Sequence, residues 1–216
     1  MKKQVDPNTT SRAEAFRMWM SSPMPMVTLT KTLDVCPLCN RARRQGYKFN
    51  MLLCWCIGKA ASQVEQFYLL PEQGSLFLYD HLAVNVIVPN AHGGINSCDI
   101  PLTDSLEEFN RNYLRLTQSV SAESKSVFLE DYMVVGTSAM VQTELDSIVN
   151  QYTDTFSNPM VMWGRYRKVR KGLLSCRYQL PVSFQFHHVQ MDGAHAAHFL
   201  ELLQREIRNL PLLPRH

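Results

Sequence analysis

Two periodicities of hydrophobic residues alternate along the chain and predict its helices and strands. Apolar residues that recur every three or four positions mark one face of a helix, whereas alternation with polar residues marks a strand. The helical spacing predicts helices at about 11–20, 37–44, 48–67, 105–120 and 193–208. The alternating spacing predicts strands at about 26–33, 75–79, 83–88, 132–135, 160–169 and 173–186.

Cap and turn residues locate the ends of several of these elements. Ser11 is expected to cap the first helix, Gly46 to end the second, and Ser105 to cap the fourth. The strands at 75–79 and 83–88 are predicted to form a hairpin, and Gly172 is predicted to join the last two strands. Helices therefore stand first and last, with the strands grouped between them. This order fits an α/β fold, a two-layer sandwich of helices on a large mixed β-sheet.

Composition narrows the class of protein. The chain has 216 residues, of which 45% are hydrophobic, which is enough for one large core. We therefore expect a single domain over 1–216. The N-terminus lacks an apolar leader segment, and no apolar run approaches the roughly 20 residues that span a bilayer, so we expect a soluble, cytoplasmic protein. The net charge of +3 is mild and does not by itself indicate an anionic partner.

The six cysteines are expected to be reduced thiols. Cys36 and Cys39 form a CxxC pair, but Cys54 and Cys56 lie two positions apart inside an apolar helix and so face different sides. Four tetrahedral zinc ligands would need a better-spaced second pair. Buried thiols that act as small hydrophobic side chains are the favoured interpretation, and zinc is the alternative.

The residues that indicate chemistry are concentrated at 184–195, at the junction of the last strand and the last helix. This stretch contains His187, His188, Asp192, Gly193 and His195. Successive side chains of a strand face opposite sides, so His187 and His188 cannot both enter one pocket. One histidine is therefore expected to be structural and the other to be a working base.

The motif His-His-x-x-x-Asp-Gly at 187–193 resembles the signature of the coenzyme A-dependent acyltransferases of the chloramphenicol acetyltransferase family. Similar stretches occur in the same order elsewhere in the chain, at 11–16, 30–35, 48–49 and 164–166. The resemblance implies an acetyl-CoA-dependent O-acetyltransferase without a metal. It assigns His188 as the general base and Asp192 as a structural carboxylate that Arg12 holds by a charge-assisted pair. The implied acceptor is chloramphenicol or a similar apolar alcohol.

The resemblance also implies the site for coenzyme A. The family uses basic residues at the positions of Lys48 and Arg165 for a phosphate of the cofactor, and Tyr166 belongs to the same segment. Arg165 opens a basic run that ends at Lys171, and Arg167 is expected to share a face with it. A solvated hairpin tip is the alternative for this run. Nucleic-acid binding is disfavoured because no aromatic platform accompanies the charges.

Two positions depart from the family pattern. Where the family has a serine that helps to hold the oxyanion, an ungapped alignment has Gly136, with Thr137 and Ser138 beside it as possible donors. Where the family has a threonine, this chain has Met162. Loss of one oxyanion donor typically costs about 10² to 10³ in rate. A different hydroxyl acceptor, or a non-catalytic acyl-CoA-binding protein that has kept the fold, therefore remain alternatives.

Larger acyltransferases that carry this motif contain two such halves, with the reaction tunnel between them. This chain supplies one half. The resemblance therefore implies a homotrimer in which each His188 faces a cleft lined by the adjacent protomer.

Overall fold

The computed structural model describes residues 1–152, 156–171 and 175–210. Gly172 and Leu173, where the sequence predicted a turn and the start of a strand, lie outside the described residues. The strands are β1 (Lys2–Val5), β2 (Met26–Asp34), β3 (Leu69–Glu72), β4 (Ser75–Tyr79), β5 (Leu82–Pro89), β6 (Ile95–Pro101), β7 (Met133–Met140), β8 (Met160–Gly164), β9 (Arg167–Lys171) and β10 (Ser175–His187). The α-helices are α1 (Ala13–Trp19), α2 (Cys36–Gln45), α3 (Phe49–Ala61), α4 (Leu106–Glu123) and α5 (Gly193–Asn209).

A large mixed sheet forms the centre of the fold. Its strands follow the order β2-β10-β8-β7-β5-β6, and β9 also pairs with β10. The pairs β5–β7 and β7–β8 are parallel, whereas β10 runs antiparallel to β2, β8 and β9. The fold is thus an α/β fold with a large mixed sheet, as predicted from the order of elements. A smaller antiparallel sheet, β1-β4-β3, was not predicted.

The two faces of the large sheet differ in what covers them. Helix α3 is apolar around nearly its whole circumference because it is buried between the sheet and its neighbouring helices. Val84, Val86 and Val88 of β5 point into this core, whereas Asn85 and Ile87 point the other way and line a cavity. We call the face that carries Asn85 and Ile87 the open face.

Several predicted boundaries are confirmed. Gly46 ends α2 in the left-handed conformation, with φ of 72°. The side chain of Ser105 accepts a hydrogen bond from the backbone N–H of Glu108 and caps α4.

Cys54 and Cys56 are buried within α3, where burial raises the pKa of the Cys54 thiol to about 12, so these two are inert packing thiols as expected.

Other predictions about local structure are wrong. The predicted hairpin of 75–79 and 83–88 does not form, because β4 pairs with β1 and β3 while β5 belongs to the large sheet. The predicted helix over 48–67 ends at Ala61, and a short 3-10 helix follows at Glu65–Tyr68. Helix α1 begins after Arg12 without a side-chain cap from Ser11. The strand predicted over 160–169 is interrupted at Arg165 and Tyr166, between β8 and β9.

Over residues 1–152, 156–171 and 175–210, no helix combines the length and the apolar character needed to cross a bilayer.

Candidate active site

His187 is the last residue of β10, and its side chain is fully buried. Its Nδ1 accepts a hydrogen bond from the backbone N–H of Val189 at 3.1 Å, so the ring is neutral and is protonated on Nε2. Burial, and then the adjacent His188, lower the pKa of His187 to about 4. A ring that is enclosed and used as an acceptor in this way is structural.

His188 lies just beyond the strand and is half-buried. Its backbone N–H donates to the carbonyl of Pro25 at 2.8 Å, and its own carbonyl accepts from Nη2 of Arg12 at 2.9 Å. Its imidazole stacks on the indole of Trp19, with 4.8 Å between ring centroids and 7° between the planes. The backbone and the ring of His188 are therefore both fixed. Within the part of the chain that the structure describes, its buried Nδ1 has no hydrogen-bond partner.

Arg12 holds the junction chiefly through main-chain carbonyls. Besides the bond to His188, its Nε donates to the carbonyl of Val189 at 2.9 Å. Its Nη1 is 3.4 Å from Oδ2 of Asp192, so the pair that the sequence predicted is present but is the longest of the three contacts. The Arg12 side chain is 7% exposed. One buried guanidinium thus connects the start of α1 to the turn that carries His188.

Asp192 is the N-cap of α5. Its Oδ1 accepts hydrogen bonds from the backbone N–H groups of Ala194 at 3.0 Å and His195 at 3.3 Å. In return, the N–H of Asp192 donates to Nδ1 of His195, which completes a capping box. Burial works against the charged form, but these backbone bonds, the His195 ring and Arg12 together lower the pKa of Asp192. Asp192 therefore remains ionised and fixes the start of the helix.

The segment of β7 that the sequence assigned to the oxyanion divides between the two faces of the sheet. Thr137 is buried on the helix side, where its hydroxyl donates to the carbonyl of Asn85 at 2.7 Å and lies 3.9 Å from Sγ of Cys54. Gly136 lies on the open face, and the half-buried Ser138, two residues on, shares that side. A Cβ at Gly136 would lie 2.9 Å from Cγ of Met160.

Gly136 is part of the floor of a cavity of about 400 Å³ on the open face. Its lining consists of Met26, Asn85, Ile87, Ser97, Asp99, Phe128, Val134, Gly136, Asn150, Gln151, Phe156, Asn158, Met160 and Gln185. Asn150 and Gln151, in the connection after β7, line one side of the cavity. Ser183 and Gln185 anchor this part of the chain by accepting hydrogen bonds from the backbone N–H groups of Ile148 and Asn150. Apolar walls with a few convergent polar groups are typical of a small-molecule site.

A second cleft, of about 370 Å³, brings together Lys48, Arg165 and Tyr166. Lys48 is the N-cap of α3, and Arg165 and Tyr166 form the break between β8 and β9. Arg165 is half exposed and is 3.8 Å from Glu144. Arg167 approaches the same carboxylate and pairs with Asp146 at 2.7 Å, so both arginines lie near Glu144, although Arg165 precedes strand β9. Only Arg165 of the two lines the cleft.

Several residues of the site were missed by reasoning from the sequence. Trp19 was assigned only to a helix, and nothing in its spacing indicates that it stacks on a ring far away in sequence. Asn85 and Asp99 each interrupt an apolar strand with a polar side chain, and they face each other in the register of β5 and β6. A polar residue inside an apolar strand was the available signal for these two.

Comparison with known proteins identifies relatives over nearly the whole chain. The family model described as "Chloramphenicol acetyltransferase" matches residues 2–204. A chloramphenicol acetyltransferase 3 of Escherichia coli is 25% identical over 201 residues, which cover 89% of this chain and 91% of the relative. A chloramphenicol acetyltransferase 2 of the same organism is 23% identical over 96% of this chain and 97% of its own length.

Solved structures show the same fold. A chloramphenicol acetyltransferase structure superposes with a TM-score of 0.81 at 19% identity and covers 96% of this chain and 100% of its own. The cubic core of a pyruvate dehydrogenase multienzyme complex matches with a TM-score of 0.66 at 14% identity, over 92% of this chain and 85% of its own. With the histidine junction, its buried arginine and the family match over residues 2–204, these findings lead to one conclusion: the chain belongs to the chloramphenicol acetyltransferase family of acyltransferases.

Proposed function

We propose that this protein transfers an acetyl group from acetyl-CoA to a hydroxyl group of a small acceptor, with His188 as the general base. The observation that carries the proposal is the contrast between the two adjacent histidines. His187 is enclosed and uses its Nδ1 as an acceptor, whereas His188 is half-buried, with its ring fixed against Trp19. A fixed, accessible imidazole is what proton abstraction from an alcohol needs.

The proposed reaction needs no covalent intermediate on the protein. His188 takes the proton of the acceptor hydroxyl while the oxygen attacks the thioester carbonyl. The tetrahedral intermediate then expels the thiolate of coenzyme A, which recovers the proton from the imidazolium. Hydrogen-bond donors near Gly136 and Ser138 are proposed to stabilise the oxyanion. Thr137, between them in β7, is a weaker candidate for the oxyanion donor, because its hydroxyl already donates to the carbonyl of Asn85.

Acetyl-CoA is proposed to bind in the cleft of Lys48, Arg165 and Tyr166. Two cations and the N-terminus of α3 meet there, and both features favour a phosphate. Arg165→Glu should raise the KM for acetyl-CoA about tenfold and leave the KM for the acceptor unchanged, because a distant phosphate contact contributes uniform binding. Arg170→Glu, in the same basic run but outside the cleft lining, is the control.

The donor can be varied to identify the contact. With a donor that lacks the 3′-phosphate, Arg165→Glu should have the same KM for the donor as the unchanged protein. An equal rise in KM with both donors would mean that Arg165 is a surface residue without a role in binding that phosphate.

The acceptor is proposed to bind in the cavity of the open face. Chloramphenicol or a similar apolar alcohol is the first candidate, because the cavity has apolar walls and the curated relatives carry its name. In that case the role would be antibiotic resistance in the cytoplasm. Another hydroxyl acceptor is the second candidate, because polar side chains of Asn85, Asp99 and Asn158 also line the cavity.

The working unit is proposed to be a homotrimer, with the adjacent protomer completing each site. Among the described residues, His188 belongs to the lining of neither the cavity nor the cleft. A base that must reach both substrates therefore needs a second copy of the chain. A monomer in light scattering at micromolar concentration would contradict this assembly.

Release of free thiol from acetyl-CoA in the presence of chloramphenicol tests the function directly. Turnover that depends on chloramphenicol and is lost in His188→Ala supports the first candidate. Turnover of acetyl-CoA only with other alcohols supports the second. Binding of acetyl-CoA without any acceptor-dependent thiol release would make the protein a non-catalytic acyl-CoA-binding relative.

A further inference from the structure

The open-face cavity contains a buried carboxylate, that of Asp99, and the described residues of its lining include no cation. Asp99 is the only charged residue in the described lining, and it is 3% exposed. Its Oδ1 accepts from Nδ2 of Asn85 at 2.7 Å, and its Oδ2 accepts from the backbone N–H of Leu129 at 2.9 Å. Among the described residues, no lysine, arginine or histidine forms an ion pair with it.

An unpaired carboxylate in such a place is costly. Burial disfavours its charged form and raises the pKa of Asp99, and the two hydrogen bonds offset only part of that effect. A carboxylate has about four acceptor positions, of which these two neutral amide donors occupy two. The remaining acceptor capacity adjoins a cavity with mainly apolar walls, where a hydrogen bond to a charge is stronger than in water.

We propose that Asp99 selects the acceptor by binding a cationic or strongly hydrogen-bond-donating group of it, so that the preferred substrates are amino alcohols. A protonated amine would fill the open acceptor positions and neutralise the buried charge. An acceptor that carries a carboxylate or phosphate would be repelled, since no cation in the described lining compensates Asp99. This inference rests on the proposed function, because it assigns the cavity to the acceptor.

The alternative is that Asp99 only holds the segment around Leu129 against β6. Two substitutions separate the possibilities. Asp99→Asn removes the charge but keeps one oxygen for the Leu129 amide. The double substitution Asn85→Asp with Asp99→Asn moves the carboxylate across the register pair, from β6 to β5, within the lining of the same cavity.

The experiment compares two matched acceptors, chloramphenicol and the primary amine that remains when its dichloroacetyl group is removed. Both retain the same hydroxyl groups. Equilibrium binding is measured by titration calorimetry and acetylation by thiol release. Because the ester and the amide of the amine have the same mass, they are separated by mild hydroxylamine treatment, which cleaves only the ester. For each variant, the association constant and the kcat/KM measured with the amine are divided by those measured with chloramphenicol. We call this quotient the amine-to-chloramphenicol ratio. Comparing the ratio among variants cancels the contribution of the lost dichloroacetyl contacts.

We expect Asp99→Asn to lower the amine-to-chloramphenicol ratio, in binding and in kcat/KM, by about tenfold to a hundredfold, the range of one hydrogen bond to a charged group. The double substitution should recover most of the ratio, which a purely structural role would not do.

A ratio unchanged in Asp99→Asn, while chloramphenicol is still acetylated, overturns the inference and leaves the proposed function standing. Amine binding that depends on Asp99 without any acetylation supports the inference about the cavity and contradicts the proposed function. Failure of the amine to bind the unchanged protein also overturns the inference.

Discussion

The two parts of the proposed site, the histidine junction and the open-face cavity, are held in place in different ways. At the junction, His188 is fixed by a buried arginine, by a backbone bond to Pro25 and by a stacked indole. In the cavity, the polar groups come singly from separate strands and loops, and only the pairing of strands brings them together. In the proposed mechanism the junction therefore determines the reaction, whereas the cavity determines which acceptor reacts.

This difference has a consequence for substitution. A change at the junction disturbs several contacts that act on one imidazole, so it should alter turnover whatever the acceptor. A change in the cavity alters one contact out of many, so it should alter the choice of acceptor more than the rate. The predictions below test this contrast, in order of decreasing effect.

His188→Ala should have the largest effect. Loss of a general base typically lowers kcat by about 10² to 10⁴. Because the backbone of His188 makes the contacts to Pro25 and Arg12, the fold should survive. Steady-state thiol release and a melting curve measure the two quantities. His187→Gln is the adjacent control, and it should lower stability more than kcat. An active His188→Ala protein would reverse the roles of the two histidines.

Arg12→Ala should lower stability and turnover together. The side chain donates to two main-chain carbonyls and lies near Asp192, and all of these contacts disappear at once. Hydrogen bonds from a charged group are worth about 1.5 to 3 kcal/mol each, so we expect the free energy of unfolding to fall by roughly 2–4 kcal/mol.

Arg12→Lys is the matched control for this change. It keeps the charge but not the planar fork that reaches three acceptors, so it should recover only part of the loss. Denaturant titration and kcat check both variants. An unchanged melting temperature and rate in Arg12→Ala would remove the arginine from the support of His188.

Gly136→Ser tests the cavity side of the comparison. Because a Cβ there would lie 2.9 Å from Cγ of Met160, the single substitution should cost about 1 to 3 kcal/mol of stability through overpacking. Combined with Met160→Ala, it provides space for a new hydroxyl donor. Because such a donor acts on the oxyanion and not on the choice of acceptor, this position is the exception on the cavity side, and the pair should raise kcat about tenfold relative to Met160→Ala alone.

Two variants sharpen this test. Met160→Ala alone separates the effect of the added space from that of the hydroxyl. If Gly136→Ser with Met160→Ala leaves kcat unchanged while Ser138→Ala lowers kcat by about tenfold or more, the oxyanion donor is Ser138. The site then needs no further hydroxyl donor.

The smallest predicted effect on turnover belongs to the acid stability of the junction, because protonation of His187 acts on folding rather than on the reaction. The pKa of His187 is about 4 in the folded protein and 6.5 in an unfolded chain, so the unfolded state takes up the proton first as the pH falls. The stability that the neutral ring contributes is fully present above pH 6.5 and is lost toward pH 4. The loss should be on the order of 2 to 3 kcal/mol. Melting temperatures between pH 7 and pH 5 should fall more steeply for the unchanged protein than for His187→Gln. Parallel curves would contradict the assignment of His187 as a buried neutral ring.

The same contrast explains what the sequence predicts well. A short motif fixed His187, His188 and Asp192 relative to one another, because a strand end and a helix cap are local structures. The order of helices and strands predicted the α/β class for a similar reason. The capping role of Asp192 was also readable in principle, since an N-cap residue followed three positions later by a polar side chain is a local signal.

The remaining features are set by contacts between distant segments. The failed hairpin of 75–79 and 83–88 had good local patterning, but β5 gains more by joining β6 and β7 in the large sheet. The stacking of Trp19 on His188 and the pairing of Asn85 with Asp99 depend on how the chain folds back. Periodicity within one segment does not encode such contacts.

The central claim is that His188 of one protomer acts on an acceptor bound in the cavity of its neighbour, and a mixing experiment tests it most directly. One parent carries His188→Ala, and the other carries Gly136→Leu, which fills the cavity; neither parent should release thiol alone. After joint refolding in equal amounts, every mixed trimer would contain one site with an intact histidine and an intact cavity, which restores roughly a quarter of the wild-type sites. Recovered activity of that size is the predicted result. Mixed trimers that form, as mass spectrometry can verify, and stay inactive would contradict the claim.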